Sequence, residues 1–127
     1  MSIKKIITGL TLSMLLGSEM AAADWGDVYY CQMTHSYGIT FNGEKKNYIL
    51  EKFQFKLDQT KNAMVYGSTG SFKDEVIELV IGRNWPSQET WYANDQYSMT
   101  YFQKGKLLYT QITVLGISSQ SADCDKF

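Results

Sequence analysis

Apolar and polar residues alternate well along Tyr48–Asp58, "YILEKFQFKLD". Successive side chains of a β-strand point to opposite faces, so this period of two predicts a strand with one buried and one wet face. The side chains expected on the core side are Ile49, Phe53, Phe55 and Leu57. Those expected on the solvent side are Lys52, Gln54, Lys56 and Asp58.

A return strand follows directly at Ala63–Gly67, after the turn sequence QTKN. A four-residue loop between the two strands sets Leu57 opposite Met64 and Phe55 opposite Tyr66. Both pairs then lie on the apolar face, where cross-strand neighbours stabilise a sheet.

A second hairpin is predicted around Lys104–Gly105, between the extended runs Tyr97–Gln103 and Lys106–Gly116. Gly105 supplies the positive φ that a two-residue turn requires. In that register, six side chains form one largely apolar face in three cross-strand pairs: Tyr101 with Leu108, Met99 with Thr110, and Tyr97 with Ile112.

Other short runs complete an all-β pattern. Val28–Thr34 is a β-rich first strand, Asn42–Gly43 is a strong hairpin turn, and Trp91–Asn94 is a short extended piece. Val76–Ile81 is favoured as a strand by its β-branched residues, although its apolar spacing also suits a short helix. Six to eight short strands predict a small antiparallel β-barrel or sandwich.

The N-terminus has the pattern of a secretory signal peptide. Lys4 and Lys5 precede the apolar run Ile6–Leu16, and small residues end at Ala23. The apolar run is too short to span a bilayer. We therefore expect cleavage before Asp24, a single β domain at residues 24–127, no stable membrane insertion after cleavage, and a periplasmic or secreted location.

The two cysteines, Cys31 and Cys124, lie near opposite ends of the expected domain. In an oxidising compartment an even number of cysteines is usually paired, which predicts a structural disulfide between them. A metal site is the alternative, but two cysteines without C-x-x-C spacing and one histidine make a poor zinc set. The disulfide would place the first strand beside the C-terminal tail and favours a closed barrel.

Charge and motifs narrow the function further. The chain carries 12 basic and 13 acidic residues without a basic cluster, so nucleic acid is not an expected partner. No phosphate loop, H-E-x-x-H or G-x-S-x-G motif is present, and we expect no cofactor and no metal. His35 is the single histidine, and a small hydrolase would have to use it. Asp74, Glu75 and Glu78 are explained adequately as solvated charges.

These observations favour a non-catalytic module that binds a protein partner or a small apolar ligand. Its contact surface is expected on the loops Gly67–Ser71 and Gly82–Gln88, because loops on a rigid scaffold commonly carry recognition. Trp85 is a candidate interface anchor or a cap on the barrel, since aromatic rings with polar tips suit both roles. The candidate binding residues are Gly67, Ser68, Thr69, Gly70, Ser71, Trp85 and Trp91.

Scattered fragments of the chain, VYYCQM, STGSF, YFQKGK and the terminal cysteine, resemble small periplasmic inhibitors of C-type lysozyme. Those inhibitors are exported β-barrels with a terminal disulfide and an inhibitory loop. Ser68-Thr69-Gly70 matches the Ser-Ala-Ser-Gly type of their loop loosely. The resemblance implies an alternative function, in which a Ser/Gly loop blocks the cleft of a hydrolase.

Overall fold

Antiparallel β-strands make up the regular structure of this protein. The computed structural model describes residues 22–80 and 90–127, and within these residues every regular element is a strand. The strands are β1 (Val28–Thr40), β2 (Lys45–Asn47), β3 (Lys52–Asp58), β4 (Ala63–Tyr66), β5 (Val76–Glu78), β6 (Trp91–Asn94), β7 (Ser98–Gln103), β8 (Lys106–Thr113) and β9 (Gly116–Lys126). The expected signal peptide lies almost wholly outside the described residues, so its cleavage stays a prediction. No helix in the described part of the chain is long and apolar enough to cross a membrane.

The strands form one sheet that curls into a nearly closed barrel. Its order is β5-β4-β3-β1-β9-β8-β7-β6, and β2 pairs with β1 beyond the end of β3. The two edges of the sheet meet where Leu79 pairs with Ala93 and the Val80 amide donates to the Tyr92 carbonyl at 2.9 Å. Because this contact joins the two edge strands, the fold is a nearly closed barrel and not a sandwich. The ambiguous segment at 76–81 forms a strand where it is described, with Ile77 and Leu79 facing inward.

The predicted disulfide is present between Cys31 and Cys124. The two cysteines pair directly across β1 and β9, so the first strand and the C-terminal tail lie side by side as expected. Such a bond is consistent with an oxidising extracellular or periplasmic compartment.

Aromatic rings fill the interior of the barrel. Tyr29 stacks on Phe55 with ring centroids 5.4 Å apart, and Phe102 meets both rings edge-on at 4.7 and 5.1 Å. Edge-to-face and offset contacts of this kind add to the stabilisation from burial alone. The buried aromatic residues of this core are Tyr29, Phe53, Phe55, Tyr66, Phe72, Phe102 and Tyr109.

The β3–β4 hairpin has the predicted register. Phe55 pairs with Tyr66 and Leu57 with Met64, and all four side chains are buried. The lysines of β3 are exposed, which matches the predicted solvent face.

The prediction that the β3 strand starts at Tyr48 is wrong. The strand starts at Lys52, and Ile49 is 84% exposed rather than in the core. The pairing of β1 with β9 shifts by one residue at Thr34, which is a β-bulge. Opposite this bulge, β2 ends at Asn47, and the chain does not pair regularly with β1 until Lys52.

The β7–β8 hairpin also has the predicted pairing, with Tyr101 opposite Leu108 and Met99 opposite Thr110. Lys104 and Gly105 both adopt positive φ, of 51° and 76°, as a two-residue turn of this kind requires. The six residues predicted to share an apolar face do share one, but that face points outward. The interior takes the alternate residues of both strands, which include Phe102 and Leu107 as well as Ser98, Thr100 and Tyr109.

Candidate binding groove

A groove of about 1010 Å³ opens at one end of the barrel. It forms because β1, β9 and β8 extend beyond the strands that flank them. β1 pairs with β3 only up to Gln32 but continues to Thr40, and β8 continues past Gln111, where its pairing with β7 ends. We call this extension the arm (β2 together with residues 35–40, 110–113 and 116–121). The inward face of the arm is one wall of the groove.

Small polar side chains line that wall. Ser36 and Gln120 are hydrogen-bonded to each other, with Gln120 Nε2 donating to Ser36 Oγ at 3.3 Å. Hydroxyl and amide groups donate and accept hydrogen bonds without a net charge, which suits contact with a peptide backbone. The uncharged polar lining residues of the arm are Ser36, Thr40, Asn47, Gln111, Thr113, Ser118 and Gln120.

A tyrosine covers part of the arm. The Tyr48 ring lies over Gly38, where an added Cβ would meet the ring at 3.2 Å. The absence of a side chain at Gly38 therefore allows the ring to approach the sheet. The Tyr48 amide also donates to the Ser36 carbonyl at 2.9 Å, which holds the segment before β3 against β1.

At the base of the groove, two buried aromatic rings lie beside an exposed carboxyl group. Phe72 meets Tyr109 edge-on, with ring centroids 4.7 Å apart, and Glu75 lies beside them. Partial burial, and secondarily the charge of Asp95, raise the pKa of Glu75. Burial, and secondarily the charge of Glu75, raise the pKa of Tyr109. Within the described residues the Glu75 carboxylate forms no ion pair, so a cation in the groove would find an uncompensated negative charge.

The other charged lining residues already have contacts. Glu51 accepts hydrogen bonds at 2.7 Å from both the backbone amide and the hydroxyl of Ser71. Lys46 forms an exposed ion pair with Glu44 at 3.9 Å. Glu75 is therefore the charged group of the groove that is best placed to bind an incoming ligand.

Large apolar side chains surround the entrance. They lie in the β1–β2 turn, before β3 and in the β8–β9 turn, and each is 77–86% exposed. Exposed apolar groups this close together are typical of an interaction site. The residues are Phe41, Ile49, Val114 and Leu115.

The predicted loop Gly67–Ser71 meets the groove only at Ser71. The loop is held at both ends, because Ser71 bonds Glu51 and the Asp74 amide donates to the Gly67 carbonyl at 2.8 Å. Its residues 68–70 are exposed. A binding role for this loop stays a prediction.

The structure describes only one of the two candidate tryptophans. Trp85 and the loop Gly82–Gln88 lie outside the described residues. Trp91 is half-buried against the core and meets Trp25 edge-on, with ring centroids 4.9 Å apart. Trp91 therefore does not line the groove.

His35 lies on the exposed outer face of β1. Its Nδ1 is 2.9 Å from Ser121 Oγ and 3.2 Å from Thr34 Oγ1. In the described part of the chain no carboxylate contacts the ring and no cleft surrounds it, whereas a catalytic serine–histidine pair needs both. The use of His35 in catalysis stays a prediction without structural support.

No protein-family model, curated protein or solved structure matches this chain. The chemistry of the groove therefore carries the functional argument.

Sequence reasoning missed the groove. Glu75 is exposed, as expected for a solvated charge, but its place beside a groove was not predicted, and Ile49 was wrongly placed in the core. Gln111 shares a face of β8 with Leu107 and Tyr109, because alternate residues of a strand point the same way. Its inward direction could therefore be predicted only if Leu107 and Tyr109 were recognised as core residues. The sequence offers no comparable signal for Glu75, because its position depends on how the chain between β4 and β5 folds over Tyr109.

Proposed function

We propose that this protein is an exported binding module that holds an extended segment of a partner protein in its end groove. The observation that carries the proposal is the combination of a polar, largely uncharged wall with an unpaired Glu75 at the floor and apolar side chains at the entrance. Backbone groups of the bound segment would pair with the wall. A lysine or arginine of that segment would pair with Glu75.

The wall formed by the arm favours a polypeptide over a small apolar ligand, and the aromatic and aliphatic side chains elsewhere in the groove would hold apolar side chains of that segment. Pockets for apolar ligands are lined mainly by hydrophobic groups with few polar ones, whereas serine, threonine and glutamine dominate the wall of the arm. Ser36, Thr40, Thr113 and Gln120 already have hydrogen-bond partners. Within the described residues the side chains of Gln111 and Ser118 have none, and burying them under a ligand without hydrogen-bonding capacity would cost about 1–3 kcal/mol each. A peptide backbone supplies the donors and acceptors they need.

A defined peptide panel tests the proposal. The probes are unstructured serine- and alanine-rich decapeptides with a central lysine, norleucine or glutamate, titrated into isotope-labelled protein. We expect the lysine peptide to bind most tightly and to shift the NMR signals of Gln111 and Ser118. The Glu75→Gln variant should lose the preference for lysine, while Glu78→Gln, an exposed substitution on β5, should keep it.

Two results would contradict the proposal. One is the absence of groove shifts with every peptide. The other is a fatty acid or similar apolar compound that produces those shifts with higher affinity than any peptide.

Inhibition of a hydrolase is a second candidate function. The fixed ends and exposed tip of the loop Gly67–Ser71 favour it, because a loop that is already ordered binds a cleft with less loss of entropy. A turbidity assay with a C-type lysozyme tests this idea directly. Inhibition should disappear in a Ser68→Trp variant, and an unaffected lysozyme at excess protein would rule this function out.

A further inference from the structure

The outer face of the arm carries a continuous row of large apolar side chains. Ile39 pairs with Ile117 across β1 and β9, and Ile117 pairs with Ile112 across β9 and β8. The Tyr97 carbonyl accepts the Ile112 amide at 2.8 Å and continues the row. All four side chains are 50–60% exposed.

Two neighbouring rows extend this surface without adding an Asp, Glu, Lys or Arg side chain. The next row toward the disulfide contains Tyr37, Ser119, Thr110 and Met99, and the row after it contains His35, Ser121 and Leu108. None of these eleven positions carries Asp, Glu, Lys or Arg. We call the eleven residues the outer apolar face.

The polarity of the arm is inverted relative to a strand that lies between core and water. Its inward side chains, such as Ser118 and Gln111, are polar, whereas Ile117 and Ile112 at the alternate positions are apolar and exposed, and Ile117 also borders the groove. Antiparallel sheets that face water on one side normally show the opposite arrangement. The outer apolar face is therefore a surface that gains free energy when another surface covers it.

We propose that a second copy of this chain covers the outer apolar face, so that the protein forms a two-fold symmetric dimer with the two sheets face to face. A two-fold interface brings the same patch of both copies together. The eleven residues include no Asp, Glu, Lys or Arg, so the patch meets its own copy without like-charge repulsion among them, and the nearest cation, Lys45, pairs with Ile39 at its edge. Rows of isoleucine on two sheets also interdigitate at the spacing of about 10 Å that packed sheets adopt.

The size of the face fits this occupant. Its seven large side chains are each 41–60% exposed, and they are Tyr37, Ile39, Tyr97, Met99, Leu108, Ile112 and Ile117. With roughly 150–250 Å² available per large side chain, they offer on the order of 550–900 Å². That range includes the roughly 800 Å² per partner of a standard specific interface.

A membrane surface is a less suitable occupant. Peripheral attachment normally combines apolar groups with a cluster of basic residues. At the edge of the face, Lys45 lies over the Tyr37 ring at 5.2 Å, and its neighbour Lys46 is paired with Glu44. The chain as a whole is slightly acidic.

Sedimentation velocity of the purified, disulfide-bonded protein over a concentration series tests the proposal. We expect a reversible monomer–dimer equilibrium. Ile112→Lys should raise the dissociation constant of the dimer at least tenfold, because it places two like charges in the interface. Val76→Lys is the matched control, since Val76 is an equally exposed β-branched residue on β5, and it should leave the equilibrium unchanged.

Circular dichroism of each variant establishes that it is folded, and Leu108→Lys replaces Ile112→Lys if that variant is not. A wild-type protein that stays monomeric up to roughly 1 mM, the limit of weak association, would overturn the proposal. Dimers that Ile112→Lys and Leu108→Lys leave intact would also overturn it. So would a monomer that sediments with neutral phosphatidylcholine vesicles through this face. None of these results depends on whether the groove binds a peptide.

Discussion

Cys31 and Cys124 are directly opposed residues of the central strand pair, with Cα atoms 4.0 Å apart across β1 and β9. The bond between them links two positions that are 93 residues apart in sequence, so it restricts most of the unfolded domain expected at residues 24–127. Removing a native disulfide from a small secreted domain typically costs 2–5 kcal/mol.

We therefore expect a Cys31→Ala, Cys124→Ala double variant to lose about 2–5 kcal/mol of unfolding free energy in urea titrations. Replacing both cysteines avoids leaving a free thiol in the core. Mass analysis of the non-reduced wild-type protein should show no alkylatable thiol. Two freely alkylated cysteines in the exported protein would contradict the assignment.

Adjacent positions on β3 should respond very differently to truncation. Phe55 is buried against Tyr29 and Phe102, so Phe55→Ala should cost about 3–5 kcal/mol in unfolding free energy. Lys56 is exposed, and Lys56→Ala should change it by no more than about 0.5 kcal/mol. Equal losses at the two positions would show that the faces of β3 are assigned wrongly.

A buried hydroxyl inside the barrel should be replaceable without loss. Thr100 Oγ1 lies beside the Tyr66 hydroxyl, yet neither atom has a well-formed hydrogen bond within the described residues. Leaving a buried polar group unsatisfied costs about 1–3 kcal/mol, so Thr100→Val should be neutral or stabilise the fold by about 1 kcal/mol. Ser98→Ala is the comparison, because Ser98 Oγ donates to Asp95 Oδ1 at 3.0 Å, and it should destabilise by about 1 kcal/mol. A clear loss of stability in Thr100→Val would mean that the two hydroxyls bond each other.

The turn before β7 should contribute to the acid sensitivity of the protein. Asp95 Oδ1 accepts the amides of Tyr97 and Ser98, both at 2.8 Å. The Tyr97 amide is the main cause, with the Ser98 hydrogen bonds, of a lowered pKa at Asp95, and partial burial opposes them. A carboxyl whose pKa is lower in the folded state stabilises the fold above its unfolded pKa of about 3.9. That contribution is lost as the pH falls through the lowered pKa.

Unfolding free energies measured between pH 7 and pH 2 check this expectation. Asp95→Asn should be less stable than the wild type at pH 7, and the difference should shrink as the pH falls below 4. Asp125→Asn, an exposed substitution on β9, is the control. Its difference in unfolding free energy from the wild type should not change with pH. A difference between Asp95→Asn and the wild type that stays constant with pH would contradict the argument.

The sequence pattern predicted which residues pair across the hairpins better than it predicted which side chains face the core. Turn length alone placed Phe55 opposite Tyr66 and Tyr101 opposite Leu108, because hairpin register depends on the turn. Turn length does not show which face of the β7–β8 hairpin points into the barrel, and both strands carry apolar residues on both faces. Phe102, Leu107 and Tyr109 face inward, while Met99 and Leu108 remain outside.

The groove could not be predicted for a related reason. It depends on the length by which β1, β8 and β9 exceed their neighbours, and on the bulge at Thr34. Both are properties of the assembled barrel. The sequence predicted an interaction surface on loops because loops tolerate variation, but it contains no signal that an arm built from β2 and the ends of β1, β8 and β9 would extend past the barrel end.

The most direct measurement of the central claim is site-specific photo-crosslinking in the cells that produce the protein. A photoreactive phenylalanine analogue replaces Ser118 on the groove wall, Ser68 in the Gly67–Ser71 loop, or Lys56 on the outer surface of β3. We expect Ser118 to give one discrete cross-linked protein, joined through an extended segment that contains a lysine or arginine, and we expect Lys56 to give none. Cross-linking from Ser68 alone, or no product from Ser118 while the folded protein is present, would contradict the account.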